Sequence, residues 1–320
     1  MGYFVGAYAT APVTESWDPA IQAEYYDGLK AMPNVRGLEH PFTGALHAED
    51  DDWFLANIDP QWDFVFTGMP GVMQRLGSDA SFGLASSAEA GRQAALAFYE
   101  QARQAILKLN RHLGRQAVTA LLIHAAPRVA ADNGPDAAAL VSSLQTLASW
   151  DWDGAALVLE HCDAQLPGQG ADKGFMLIET EIEAVTSANC GADHPVGLCI
   201  NWGRSALEAR GVDGPVAHLE AAREAGLLRG LMFSGASGQE GPYGAWRDTH
   251  MPPAQAFGIP AFEPSSLLTE TEFRRCLQAS DASALDFMGV KISVRPDSLS
   301  VGERLAYIAG ALHILDRISG

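Results

Sequence analysis

Eight short apolar runs recur along the chain, each followed by an amphipathic stretch of helical period. They fall at residues 3–9, 35–40, 63–67, 118–124, 155–160, 196–201, 228–234 and 287–292. Helical segments are expected from near Asp18 and over residues 89–113, 136–150, 174–189, 215–225 and 301–318, with another starting at Thr269. The runs are continuously apolar, as strands covered on both faces must be, so they read as parallel. Eight such units predict an α/β chain forming a single (β/α)8 TIM barrel over residues 1–320. The length agrees, since this barrel needs roughly 250 residues plus insertions. An open doubly wound sheet is the competing fold. It usually carries a Gly-rich phosphate turn after its first strand, and Ala7-Tyr8-Ala9-Thr10-Ala11-Pro12 is not one.

Composition narrows the partners. The 39 Asp and Glu residues outnumber the 21 Lys and Arg, giving a formal net charge of -18. Phosphate backbones call for basic stripes, and the chain has no Lys/Arg-rich run, so nucleic acid is not an expected partner. An anionic membrane surface is disfavoured for the same reason. No run approaches the ~18 apolar residues of a membrane span, and Met1-Gly2-Tyr3-Phe4-Val5 lacks the basic start of a secretion signal. The four cysteines, Cys162, Cys190, Cys199 and Cys276, show no CxxC spacing and read as reduced packing residues. A cytoplasmic protein is expected, with a homodimer as the expected assembly.

In a barrel of this kind, chemistry gathers where the strands end. The first strand is read as ending near Tyr8 and the second at Glu39-His40. The fourth and fifth end at His124 and Glu160, the sixth at Asn201 with Arg204 behind it, the seventh at Ser234 and the eighth at Lys291. Polar residues after apolar strands often serve only as caps. An acid, an imidazole, an amide and an ammonium converging on one mouth would suit a small polyhydroxylated substrate. The Gly-rich seventh loop adds Trp246, Asp248 and His250. In extended chain the one-residue spacing of Asp248 and His250 puts both on one side, where they can share a metal or a hydroxyl. Glu39, Asn201, Arg204, Trp246, Asp248 and His250 are therefore the candidate substrate-binding residues. His161 should face away from Glu160, and His47 should be solvated. His112, His194, His218 and His313 carry no expected role. Residues 49–52 read as an acidic helix start.

These strand ends resemble the xylose isomerase-like superfamily, whose members include sugar isomerases, epimerases, inosose dehydratases and an apurinic endonuclease. His124 in Leu-Leu-Ile-His-Ala resembles its strand-four histidine. Glu160 in Leu-Val-Leu-Glu-His resembles its metal-binding glutamate, and the loop to Asp248-Thr249-His250 resembles the Asp-x-His loop of the endonuclease branch. The chain is read as an uncharacterised subfamily with a degenerate metal site. Asn201, Arg204, Ser234 and Lys291 stand where the superfamily places an acid, a histidine, a histidine and a glutamate. An ammonium or guanidinium has no lone pair for a metal. The resemblance implies that any divalent metal retained would lie on Glu160, His124, Asp248 and His250. No other cofactor is expected.

The resulting expectation is a sugar isomerase or epimerase that moves a proton beside a carbonyl. Glu160 would be the base, His124 or His250 the acid or orienting group, and Lys291 the stabiliser of negative oxygen. Two alternatives stand beside it. One is a lyase or aldolase forming a Schiff base through Lys291. The other is a sugar-binding barrel without catalysis.

Overall fold

The computed structural model describes residues 2–132 and 134–319, so Met1 of the N-terminal run lies outside the described residues. The strands are β1 (Tyr3–Val5), β2 (Val35–Pro41), β3 (Asp63–Thr67), β4 (Val118–Ile123), β5 (Ala156–His161), β6 (Gly197–Asn201), β7 (Leu228–Phe233) and β8 (Phe287–Val290). All neighbours pair in parallel and β8 returns to β1, closing an eight-stranded barrel in chain order.

The helices are α1 (Ala7–Thr10), α2 (Pro19–Lys30), α3 (Asp51–Asn57), α4 (Met69–Leu76), α5 (Glu89–Leu113), α6 (Ala137–Ala148), α7 (Ile178–Ala188), α8 (Trp202–Ala209), α9 (Asp213–Glu224), α10 (Glu270–Ser280) and α11 (Val301–Ser319). Local chemistry starts several of them. Asp18 caps α2 ahead of Pro19 by accepting from Ala20 N and Ile21 N. Asp50 caps α3, with Asp51 and Asp52 in its first turn, as the acidic run suggested.

The first strand is shorter than its apolar run. It stops at Val5, and Tyr8 sits on the single turn of α1. Helices α4 and α8 follow β3 and β6 so closely that the sequence reading passed over both.

Strand alternation explains what reaches the mouth. A buried cluster of Phe4, Val65, Ala120, Leu122, Val158, Cys199, Met232 and Phe287 is separate from the main core and supplies the barrel interior. Side chains two residues apart share a face. Stepping two residues towards the C-terminal ends from Phe4, Val65, Leu122, Val158, Cys199 and Met232, from Gly37 on β2 and from Gly289, the β8 partner of Phe4, gives the next inward ring. That ring is Gly6, Glu39, Thr67, His124, Glu160, Asn201, Ser234 and Lys291. The odd-numbered partners on β5, ending at His161, turn outward towards the helices. The β7–α10 connection, residues 234–269, lies across the mouth. It is pinned by the Gly235–Met251 bridge and by Ser293 N donating to His250 O at 2.6 Å.

Candidate active site

The inward ring divides into two groups of charge. On the β4–β6 side, Glu160 is the hub. His124 Nε2 lies 2.9 Å from Glu160 Oε2, Arg204 Nη1 lies 2.6 Å from the same oxygen, and Asn201 Nδ2 donates to Oε1 at 3.5 Å. Arg204 rises from α8, and Asn201 Oδ1 caps that helix at Gly203 N while accepting from Ser234 Oγ at 2.7 Å. Arg204 Nε also meets Asp248 Oδ2 at 3.1 Å, and Lys173 Nζ reaches the same oxygen at 2.7 Å. His250 Nδ1 is 3.1 Å from Asp248 Oδ1, so the Asp-x-His pair does come together.

On the β8–β1–β2 side, Lys291 Nζ lies 2.7 Å from Glu39 Oε1, and both side chains are fully buried. Lys291 does not meet Glu160, the partner considered from the sequence. Gly6, just beyond the end of β1, lets Lys291 turn to Glu39 instead. A Cβ at Gly6 would stand 2.8 Å from both Glu39 Oε2 and Lys291 Cγ, so only a bare backbone lets the pair close over β1. Tyr8 covers it, with the ammonium 5.3 Å from the ring centre.

The two groups titrate in opposite senses. Burial alone would raise the Glu160 pKa, but Arg204, Lys291 and His124 together hold it well below the ordinary carboxylate range. Asp248 is likewise held well down, as Lys173, His250 and Arg204 outweigh burial. Glu39 goes the other way: burial raises its pKa and Lys291 only partly offsets this. Burial opposes the charge on Lys291, but Glu39 more than compensates and the ammonium stays protonated. Burial lowers His124 to about 4, so its imidazole is neutral at pH 7. With Nε2–H given to Glu160, its buried Nδ1 is left without a partner. Three carboxylates (Glu39, Glu160, Asp248) thus face three cations (Lys291, Arg204, Lys173).

This balance bears on the degenerate metal site that the resemblance implies. His124, Glu160 and Cys162 bring ligand atoms within 4.8 Å of one another. Arg204 Nη1, however, is 2.6 Å from Glu160 and 3.4 Å from Cys162 Sγ, inside that trio. Asp248 and His250 lie beyond the guanidinium. In this arrangement Arg204 takes the place of a cation, and the set of Glu160, His124, Asp248 and His250 does not fit a shared metal.

Open space lies to one side. A cavity of about 270 Å³ opens over β1, β2 and α2, lined by Tyr8, Trp17, Gln22, Tyr26, Glu39 and His47 among others. Glu39 Oε2 is buried and has no hydrogen-bond partner among the described residues. Trp17 donates through its indole N–H to Gln22, and its ring packs edge-on to Trp53.

Several expectations need correction. Trp246 does not line this cavity; it packs against the Arg210 guanidinium, 5.5 Å from its ring centre. Arg204 and Asn201 are buried and do not line this cavity; they bond to Glu160, Asp248 and Ser234. His47 is half-buried on Phe54 instead of solvated. Trp17, Gln22 and Lys173 went unnoticed because they sit in loops or on a helix away from the strand ends. Outside the ring, His161 is gripped by Glu181 Oε2 at 2.7 Å and Glu208 Oε2 at 3.0 Å, facing away from Glu160 as strand alternation requires.

Among the described residues, no helix is long and apolar enough to cross a membrane. The uncharacterized protein STM3670 of Salmonella typhimurium is 35% identical over 318 residues, covering 99% of this chain and 97% of that protein. Among solved structures, D-psicose 3-epimerase with D-tagatose from Clostridium cellulolyticum H10 superposes with a TM-score of 0.57 at 14% identity, covering 100% of this chain and 98% of that one. A xylose isomerase domain protein from Alicyclobacillus acidocaldarius gives 0.54 at 12% identity, covering 100% of both chains. At these identities the shared property is the fold, a xylose isomerase-like TIM barrel. Residues 4–307 match the family described as a domain of unknown function (DUF4862), and the chain belongs to that family.

Proposed function

We propose that the barrel is a sugar isomerase or epimerase whose reacting group is the Glu39–Lys291 pair. The observation that carries this is the buried 2.7 Å contact that Lys291 makes behind Glu39, which itself lines a cavity with aromatic sides. Tyr8, Trp17 and Tyr26 offer ring faces to the C–H side of a sugar, while Gln22, already bonded to Trp17 and His47, keeps one amide hydrogen for a hydroxyl.

Glu39 has the properties of a base. Its pKa is raised by burial and one oxygen is unpaired. It would take the proton from the carbon beside the carbonyl, and the bonding electrons would move onto the carbonyl oxygen. The Lys291 ammonium has three donors, of which Glu39 holds one, so it can stabilise that oxygen until the proton returns to carbon. Glu160, the base expected from the sequence, is a poor one with its pKa held so low. Its part in this reading is to hold Arg204 and orient His124. Schiff-base chemistry loses support for a related reason: an amine must shed its proton to attack, and Glu39 keeps Lys291 protonated.

The test is deuterium wash-in from D2O into a panel of aldoses and ketoses, followed by ¹H NMR. The wild type should exchange the hydrogen beside the carbonyl of at least one member. Glu39→Gln should lose at least about 100-fold in that rate. Exchange unchanged in Glu39→Gln would move the base elsewhere. Binding without exchange across the panel would leave the sugar-binding barrel.

A further inference from the structure

The outward end of β5 carries a second polar cluster that the mouth does not use. His161 comes from β5, Glu181 from α7, Glu208 from α8 and His218 from α9. The two imidazoles lie 4.8 Å apart, nearly perpendicular. Each turns Nε2 to the same carboxylate: His161 Nε2 is 3.0 Å from Glu208 Oε2, and His218 Nε2 is 3.7 Å from Glu208 Oε1. Their Nδ1 atoms are both held from behind. Glu181 Oε2 is 2.7 Å from His161 Nδ1, and Ser205 Oγ is 2.9 Å from His218 Nδ1.

We infer that His161, Glu208 and His218 form a binding site for a divalent cation of the zinc type, separate from the barrel mouth. Their ligand atoms all lie within 4.8 Å of one another. Ligands at tetrahedral zinc bonds of about 2.0–2.1 Å stand about 3.3 Å apart, close to the 3.0 Å between His161 Nε2 and Glu208 Oε2, with His218 Nε2 facing the other oxygen of that carboxylate. Histidine ligands to metal ordinarily give their other ring nitrogen to a carboxylate or hydroxyl, which fixes the tautomer. Glu181 and Ser205 already stand in those places. Two imidazoles and one carboxylate form a nitrogen-rich set suited to zinc or cobalt and poorly suited to magnesium or calcium.

Burial opposes a charge on His161, but Glu181 and Glu208 on its two ring nitrogens raise its pKa to about 10, so a divalent cation would take the place of that proton and balance the two carboxylates. Glu181 Oε1 is buried there without a hydrogen-bond partner among the described residues. Glu208 Oε2 also accepts from Ala164 N at 2.8 Å, so the ligand set is tied to the loop that leaves β5. A cation here would clamp β5 to α7, α8 and α9 from behind the mouth, with solvent at its fourth position.

The experiment is a titration of chelator-treated full-length protein with Co²⁺, read by visible absorption and by elemental analysis, with Zn²⁺ as competitor. Wild type and Glu160→Gln should each bind about one Co²⁺ per chain, with the intense bands of a tetrahedral nitrogen-oxygen site that Zn²⁺ abolishes. His218→Gln, at the edge of the cluster, should weaken binding by more than about tenfold while keeping the wild-type circular dichroism. Glu208→Gln should do the same if His218→Gln proves unstable. Two results would overturn the site: no Co²⁺ uptake by the wild type, or uptake that Glu160→Gln removes and His218→Gln leaves intact.

Discussion

The two sides of the barrel mouth use the same ingredients to opposite ends. Around Glu160, every charge has a partner: Arg204 bridges Glu160 and Asp248, and Lys173 and His250 close the far side. The carboxylates are held ionised, and the atoms left without a hydrogen-bond partner among the described residues are imidazole nitrogens, His124 Nδ1 and His250 Nδ1. Around Glu39, a single ion pair stands beside a cavity of about 270 Å³, one oxygen is unpaired and the carboxylate pKa is raised. A densely paired set of charges fixes a structure, whereas a sparse one keeps a group able to exchange a proton. On the proposed reading, the first is the scaffold half and the second the working half.

Removing one partner on each side should expose that contrast. The largest effect is expected for Arg204→Met, which leaves Glu160 and Asp248 facing each other with less countercharge in a buried site. It should cost about 3–5 kcal/mol in urea unfolding at pH 7. A loss below about 1 kcal/mol would show that the Glu160 side is not a load shared through Arg204.

Lys291→Met should cost less, about 1–3 kcal/mol at pH 7, because Glu39 can answer by keeping a proton. The pH dependence then distinguishes the halves. Glu39 has a folded pKa above its unfolded value, more so without Lys291. Its favourable contribution is complete below the unfolded pKa and is lost as pH rises through the folded one. The penalty of Lys291→Met should therefore grow from pH 4 to pH 8. Glu160 and Asp248 have depressed pKa values, so their contribution is present above the unfolded pKa and lost only as pH falls through the folded one. In urea unfolding across pH, the change in the Lys291→Met penalty should be over by the ordinary carboxylate range, while the Arg204→Met penalty should go on falling below it; changes over the same pH range would contradict the contrast.

The barrel itself was legible in the eight apolar runs, since burial on both faces leaves a parallel strand little choice of residue. Strand alternation also made the ring legible: His124, Glu160, Asn201 and Lys291 each stand two or four residues beyond an inward apolar side chain. The pairing within the ring was not. Which cation meets which carboxylate depends on what the intervening strand leaves open, and the decisive residue is Gly6, which has no side chain to notice. The cavity was hidden for a different reason. Trp17 and Gln22 reach it from the β1–α2 region, where no strand-end rule applies. A lone histidine in a helical segment carries no signal of its own, yet packing brings the His218 ring against that of His161 on β5.

The division of labour is tested most directly by ¹³C NMR of the glutamate side-chain carboxyls, assigned with Glu39→Gln and Glu160→Gln. A sugar that the wild type binds is titrated in at fixed pH. The account expects the Glu39 carboxyl to titrate above the ordinary range and to shift on sugar binding, with Glu160 ionised and nearly unmoved. A sugar-dependent shift at Glu160 with none at Glu39 would contradict it.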